Sequence, residues 1–268
     1  MLTRTHIGGD RVLLTTALKE RLAIRPEWSP AQRLKISPPN GKIDYDSLSL
    51  LSGHTCPFAY TCMAKVHKVT RKIVDGKFSD TRCFSATQEA AYTNVFNQRQ
   101  HNTNLLQECN TMQEMLDLLD VSIRQSLDPF RIHVGGEFYN QMYFDAWMRF
   151  AHENPYRIFY AYTKSLPYWI NRIDSIPDNF SLTASYGGRA DNLIKEHNLK
   201  YALVVGHPDE AEKLGLKIDH DDSLAIYGSD SFALLLHGTQ KAGSKRSEDL
   251  KRMNRENIAY RYKRRQDR

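Results

Sequence analysis

Four cysteines, at positions 56, 62, 83 and 109 of 268 residues, are the side chains whose type and spacing point most directly to chemistry. Cys56 and Cys62 share the stretch GHTCPFAYTC, residues 53–62, which follows an apolar run. Four cysteines are too few for a disulfide framework in a chain this long. A zinc knuckle or ribbon would place ligands two to four residues apart in two pairs, and no such pair occurs here. Iron–sulfur clusters accept longer and less regular gaps, because their thiolates are spread wider than around one ion. Pro57 stiffens the loop and removes a competing N–H donor.

Cys83 precedes the helical pattern SATQEAAYTNVFNQR, 85–99, whose first amides would stabilise a thiolate or an anionic cluster. Cys109 falls inside a second pattern, 104–125, with Leu105, Leu106, Met112, Met115, Leu116 and Leu119 at helical spacing. If the two helices are antiparallel, Cys109 sits short of Cys83 by about 15 Å at 1.5 Å per residue, unless an irregular stretch such as QRQHNTN intervenes. Burial as a small core residue is the competing reading of Cys109. Three ligands, Cys56, Cys62 and Cys83, are therefore better supported than four, and an unliganded iron would accept an exogenous ligand.

Other groups are weaker candidates. Glu137 in HVGGE offers a base beside two glycines that permit close backbone approach. Lys164 in YTKS and Arg189 in YGGR suit an anionic ligand. His237 follows an apolar strand. DHDD, 219–222, gathers three carboxylates with His220, which suits Mg²⁺, Mn²⁺ or acid–base work, or a solvated turn. Glu137, Lys164 and His220 are the candidate catalytic residues.

These residues must be positioned by something, and from residue 131 onward the pattern supplies it. Short apolar runs, RIHVGG, RIFYAYTKS, FSLTASYGG, YALVVG and FALLLHG, alternate with helical ones. That is the signature of βα units around a parallel sheet. Nearly every strand runs into Gly, Ser, Thr, His or Lys, and functional groups in such folds gather beyond the strands' carboxyl ends. A strand at 46–53 would deliver the cysteine loop to the same face. The expected organisation is an N-terminal arm, 1–45, an α/β domain, 46–240, and a basic tail, 241–268.

Composition is that of an ordinary globular chain, 41% hydrophobic and 25% charged. The net charge of +6 is concentrated: residues 241–268 hold eleven Lys or Arg against four Asp or Glu, a surplus of seven, which leaves the rest at −1. Such a tail suits nucleic acid, with Tyr260 and Tyr262 interleaved for base stacking, or a solvated helix end. Neither an apolar leader nor a run of about 18 apolar residues is present, so the expectation is a protein of a reducing cytoplasm with no membrane partner.

Together, CPFAYTC, RCFSATQE, HVGGEF, YFDAW, YAYTKS, LTASYGG, DHDDS and FALLLHGTQKAGS resemble a bacteriophage-encoded protein family of unassigned biochemical function. That group looks like divergent relatives of radical-SAM enzymes that carry an iron–sulfur cluster. The matching blocks run from residue 46 to 246. The resemblance implies an α/β fold, a parallel sheet or partial barrel of radical-SAM-like βα units, in a phage host's cytoplasm. It also implies a [4Fe-4S] cluster on Cys56, Cys62 and Cys83 with Cys109 as the fourth ligand. Radical-SAM enzymes space their cysteines closely, whereas five and twenty residues separate the first three here; that spacing argues against SAM, and a fourth thiolate would occupy the iron SAM needs. The expected function is redox or electron transfer, with an unknown redox partner or small molecule. The alternatives are a nucleic-acid-binding protein with a structural cluster or zinc, and a carboxylate-metal hydrolase centred on DHDD.

Overall fold

Alternation along the strands separates two environments. Phe130 and Phe159 turn to one side and meet Trp147 at centroid distances of 5.8 and 6.1 Å. Arg131, Tyr160 and Tyr162 turn to the other and converge on Asp222. A strand's period of two produces this split.

The computed structural model describes residues 28–40 and 43–258. The chain divides into two units, Met1–Arg33 and Leu34–Arg268. Most of the expected N-terminal arm lies outside the described residues. In the first unit, Trp28–Arg33 contains one 3-10 turn, Pro30–Gln32, begun by a proline and capped where the Ser29 amide donates to Gln32 Oε1 at 3.0 Å. In the second, Leu34 is already buried, and Ser37 pairs antiparallel with Ser47.

The second unit runs β1 (Asp46–Leu48), a hairpin of β2 (Ala64–Val66) and β3 (Ile73–Asp75), then α1 (Phe84–Ala91), α2 (Thr93–Glu108) and α3 (Met112–Ser122). There follow β4 (Phe130–Ile132), α4 (Gln141–Glu153), β5 (Phe159–Thr163), α5 (Leu166–Ile170), β6 (Phe180–Ser185) and α6 (Asn192–Glu196). The chain continues through β7 (Tyr201–Val205), α7 (Pro208–Lys213), β8 (Lys217–Ile218), α8 (Ser223–Tyr227), β9 (Phe232–Leu235) and α9 (Lys245–Arg255). Seven strands form one sheet in the order β1-β4-β5-β6-β7-β9-β8, and every pairing in it is parallel. The expected α/β class is observed, and the sheet is open rather than a closed barrel.

On one face α4 lays Phe144, Trp147, Phe150 and Ala151 against the strands. On the other, α8 covers part of the sheet, with Ala225 and Ile226 against Tyr160, Ala202 and Phe232. α9 closes the far side, Met253 packing on Val205, Leu235 and Leu236. Residues expected in a basic tail thus belong to the packed fold as far as Arg255, while Tyr260 and Tyr262 lie outside the described residues. Among the described residues no helix is long and apolar enough to cross a membrane.

Two helix boundaries differ from expectation. The pattern at 85–99 breaks at Tyr92, whose backbone is extended, so α1 and α2 are separate helices. The stretch QRQHNTN is helical throughout, and the irregular stretch lies at 109–111 instead. There Thr111 Oγ1 accepts from the Glu114 amide at 3.2 Å and Glu114 Oε2 accepts from the Thr111 amide at 3.3 Å. That capping box starts a new helix and outweighs the continuous apolar spacing.

Candidate functional site

The cysteine loop leaves β1 through a tight turn that needs glycine. Gly53 has φ +70, and a Cβ there would lie 2.5 Å from the Ala64 carbonyl oxygen. The Gly53 amide donates to Cys56 Sγ at 3.3 Å. Thr55 Oγ1 donates to the Leu51 carbonyl at 2.9 Å, which winds the segment into a single turn. Past Cys56 the loop is stitched to the turn after β6: the Tyr60 and Thr61 amides donate to Gly187 O at 3.1 and 2.9 Å, and the Arg189 amide donates to Phe58 O at 2.8 Å.

The twenty residues between Cys62 and Cys83 hold the β2–β3 hairpin, and its stem folds the gap away. The Asp80 and Thr81 amides both donate to Thr61 O, at 2.9 and 3.0 Å. The Gly76 amide donates to Met63 O at 2.7 Å. Arg82 grips Asp75 with both arms of its guanidinium, Nε to Oδ1 at 2.8 Å and Nη2 to Oδ2 at 2.6 Å. Cys62 and Cys83 therefore flank a closed stem. Gln240, beyond β9, holds the backbone before Cys83 from the other side: its Oε1 accepts from the Arg82 amide at 2.8 Å and its Nε2 donates to Arg82 O at 3.1 Å.

A buried ion pair locks the two cysteine segments together. Glu89 on α1 accepts from the Ser52 amide and hydroxyl at 2.9 and 2.8 Å and from Arg99 Nη1 at 3.0 Å. Arg99 also donates to Ser85 O at 2.9 Å, two residues past Cys83. Ser52 precedes Gly53, so one carboxylate fixes the approach to Cys56 and the exit from Cys83.

Cys56, Cys62 and Cys83 line one cavity of about 240 Å³, whose walls come from the carboxyl ends of successive strands. Arg131, Glu137, Tyr162, Lys164, Ser185 and His237 contribute polar groups, and Val134, Leu234 and Leu236 contribute apolar wall. Burial pushes the Cys56 thiol well up, as do Glu137 and the neighbouring Cys83, against the Gly53 amide. Cys83 is pushed up to about 11, by burial first and then by Cys62, while the Ala86 and Ser85 amides at the start of α1 pull the other way.

Glu137 is buried and fully engaged, accepting from Phe138 N at 2.9 Å, Thr163 Oγ1 at 2.8 Å and Lys164 N at 2.6 Å. Burial raises its pKa more than those donors lower it. Lys164 Nζ donates to Ser185 Oγ at 2.6 Å and, among the described residues, meets no carboxylate within ion-pair distance. His133, which sequence reasoning passed over, is buried with φ +63, bonded through Nε2 to the Tyr143 hydroxyl at 3.0 Å, and its Nδ1 has no hydrogen-bond partner among the described residues. Burial lowers its pKa to about 3, so the ring is neutral. The HVGG glycines serve packing: a Cβ on Gly136, at φ +85, would lie 2.5 Å from Leu50 Cβ.

Several predicted groups lie elsewhere. Cys109 ends α2, donates to Leu105 O at 3.3 Å and does not line the cavity. Its thiol is pushed up to about 11 by burial, then by Glu114 and Glu108. Asp219 accepts from the Asp221, Leu224 and Ala225 amides, and Asp222 accepts from Arg131, Tyr160 and Tyr162 at 2.7, 2.9 and 2.9 Å. Those two carboxylates build α8 and the cavity floor, and His220 is exposed outside the cavity. Arg189 lies over the Tyr60 ring at 5.6 Å, and the Gly187 and Gly188 amides donate to Asp191, so YGGR is a loop lock. Phe84 packs on His237 at 4.3 Å, which holds that ring beside Cys83.

Among the described residues no three His, Cys, Asp or Glu side chains gather as one metal ion requires. Cys56, Cys62 and Cys83, residues of intermediate burial, share the cavity, with the Gly53 amide on Cys56 and the Ser85 and Ala86 amides beside Cys83.

The family model of gene product 88 matches residues 14–256, and the chain belongs to that family. No curated protein and no solved structure matches it.

Proposed function

We propose that this gene product 88 family member is a redox protein that holds a [4Fe-4S] cluster through Cys56, Cys62 and Cys83 and acts on a small molecule in the adjoining cavity. One observation carries the reading: three cysteines far apart in sequence line the same cavity at the carboxyl ends of a parallel sheet. When bound, such a cluster supplies a one-electron couple and, with three protein ligands, an iron open to an exogenous ligand.

The chain's own residues set the conditions. The Gly53, Ser85 and Ala86 amides favour charged sulfur at Cys56 and Cys83. Val134, Leu234 and Leu236 keep water off the wall, and Lys164 presents a cation to an anionic group of the bound molecule. Glu137 ties the HVGGE loop to the end of β5 and keeps that wall rigid. The cysteine loop after the first strand and the loops at the strand ends support a radical-SAM-like layout. The hairpin stem folds away the twenty-residue gap between Cys62 and Cys83, which supports trying SAM as the first ligand. The place of action is a phage host's reducing cytoplasm.

The nucleic-acid alternative draws less support, because α9 pairs three of its five cations: Arg246 with Asp80, Glu210 and Asp249, Arg252 with Asp209 and Glu256, and Lys251 with Glu248.

Iron and sulfide analysis with EPR on anaerobically purified protein, oxidised and dithionite-reduced, tests the proposal. Wild type and Cys109→Ala should carry the same cluster, and Cys56→Ala, Cys62→Ala and Cys83→Ala should lose it. Iron-free wild-type protein overturns the cluster, and its loss in Cys109→Ala overturns three-cysteine ligation.

A further inference from the structure

A buried redox site turns over only if electrons reach it, and the β2–β3 hairpin is a surface joined to the cysteine loop. It leaves the chain between Cys62 and Cys83, and β2 lies directly on the cysteine loop. An ideal Cβ at Gly53 would be 2.7 Å from Lys65 Cβ, and the same residue's amide donates to Cys56 Sγ. Residues 64–78 carry Lys65, Lys68, Arg71, Lys72 and Lys77 against a single acid, Asp75.

Most of that charge faces solvent. The four lysines are exposed, and none meets a carboxylate among the described residues. The acids nearby are engaged elsewhere, Asp75 by Arg82 and Asp80 by Arg246. Arg71 is folded inward, 3.5 Å from the Phe96 ring centroid and bonded to Glu89 O, which anchors the tip to α1 and α2. His67 shapes the turn: its Nδ1 accepts from the Thr70 amide at 3.1 Å and its own amide donates to Lys72 O at 2.9 Å. Among the lysines stand apolar groups left open to water, Val69 at 84%, Phe78 at 52% and Val74 at 46% exposure. Phe78 is backed by Tyr60, stacked at 4.9 Å.

We propose that this lysine-rich hairpin, with Val69, Val74 and Phe78 open to solvent along it, docks an acidic one-electron donor protein; the inference rests on the redox reading above. Charge steers the encounter, and the exposed apolar side chains supply the short-lived contact. The step is a single electron transfer: the reduced donor is oxidised by one electron, the oxidised cluster is reduced by one, and no bond or proton moves. A nucleic-acid strand is the competing occupant, and three solvent-exposed apolar side chains close to the lysines in sequence favour protein.

The test uses anaerobic stopped-flow reduction of the holoprotein by a reduced acidic flavodoxin, with dithionite as the small-molecule control. Two variants are compared, Lys68→Glu/Lys72→Glu and Lys65→Glu/Lys77→Glu. Each should slow flavodoxin reduction at low salt by about tenfold or more, and the wild-type rate should fall steeply as salt rises. Iron content and dithionite reduction should stay at wild-type values. Flavodoxin rates that ignore salt and both charge reversals overturn the docking face while leaving the cluster standing. Wild-type protein without iron overturns the redox reading and the docking face together. Single-stranded DNA binding lost in the variants, with flavodoxin rates unchanged, assigns the face to nucleic acid and also overturns the proposal.

Discussion

Glu89→Ala is the most informative single change, because one carboxylate joins both cysteine segments. The Glu89 side chain is 0% exposed and that of Arg99 is 6%, with 3.0 Å between Oε1 and Nη1. Removing one partner of a buried pair costs about 3–5 kcal/mol, since the other charge is left without its counter-ion. Arg99 would keep Ser85 O at 2.9 Å, Ser85 Oγ at 2.5 Å and Gln88 Oε1 at 2.9 Å, so the low end, about 3 kcal/mol, applies. Glu89→Gln keeps an oxygen for Ser52 and should cost about 1.5 kcal/mol. A double-mutant cycle with Arg99→Ala should return a coupling of about 2 kcal/mol. Urea unfolding followed by circular dichroism gives these values, and iron release to a chelator reports the second consequence. Ser52 loses the carboxylate that holds its amide and hydroxyl while Ser85 keeps Arg99, so with the proposed cluster bound Glu89→Ala should release iron faster than Glu89→Gln. A Glu89→Ala protein as stable as wild type, or a coupling near zero, would refute the reasoning.

Three further outcomes follow from geometry and charge. His133 is held neutral with a folded pKa of about 3, so its contribution is complete above its unfolded pKa, about 6.5, and falls by about 1.4 kcal/mol per pH unit below it, to a loss of about 2 kcal/mol at pH 5. His133→Asn tolerates the positive φ and should flatten that slope in unfolding curves at pH 7 and pH 5; an unchanged slope rules out His133 as its source. Gly136→Ala should cost about 2 kcal/mol, because the new Cβ meets Leu50 and Thr55 at φ +85, whereas Gly215→Ala, at φ +66 with nothing within 4 Å, should cost about 1 kcal/mol; equal melting curves would contradict this. Arg82 holds the Asp75 carboxyl below its usual range, so the hairpin stem keeps this support above about pH 4 and loses it as pH falls through the lower folded value. Hydrogen exchange of the Gly76 amide, corrected for its intrinsic pH dependence, should therefore show constant protection from pH 7 to 5 and weakening only below 4.

The strands from residue 130 onward were legible because each apolar run stops at a residue that cannot continue it, as FYAYT does at Lys164. The hairpin was not. Its strands are three residues each, too short for a period to register, and what closes it is non-local: two amides at 80 and 81 on the carbonyl of Thr61. The break before α3 was readable in Thr111 and Glu114, a capping-box pair hidden inside an apolar pattern. DHDD illustrates the opposite limit. Composition alone suggested metal or acid–base chemistry, but Asp222 takes φ +63 and is met by an arginine and two tyrosines from neighbouring strands, contacts that only the sheet could reveal. His133 left a weak trace, since nothing in HVGGE distinguishes a ring with one unpartnered nitrogen from an ordinary strand-end histidine.

The stem that closes at Thr61 separates what the base of the hairpin and its outer turn must each supply. Three backbone hydrogen bonds and one arginine fork hold the base, and Val66 and Arg71, packed with Leu51 and Phe96, hold the strands to the core. The exposed side chains of Lys68, Val69 and Thr70 carry no such load, and surface substitutions of that kind usually stay within about 0.5 kcal/mol. The charge of the turn and the geometry of the thiols at the base are then separate design variables carried on one stretch of chain.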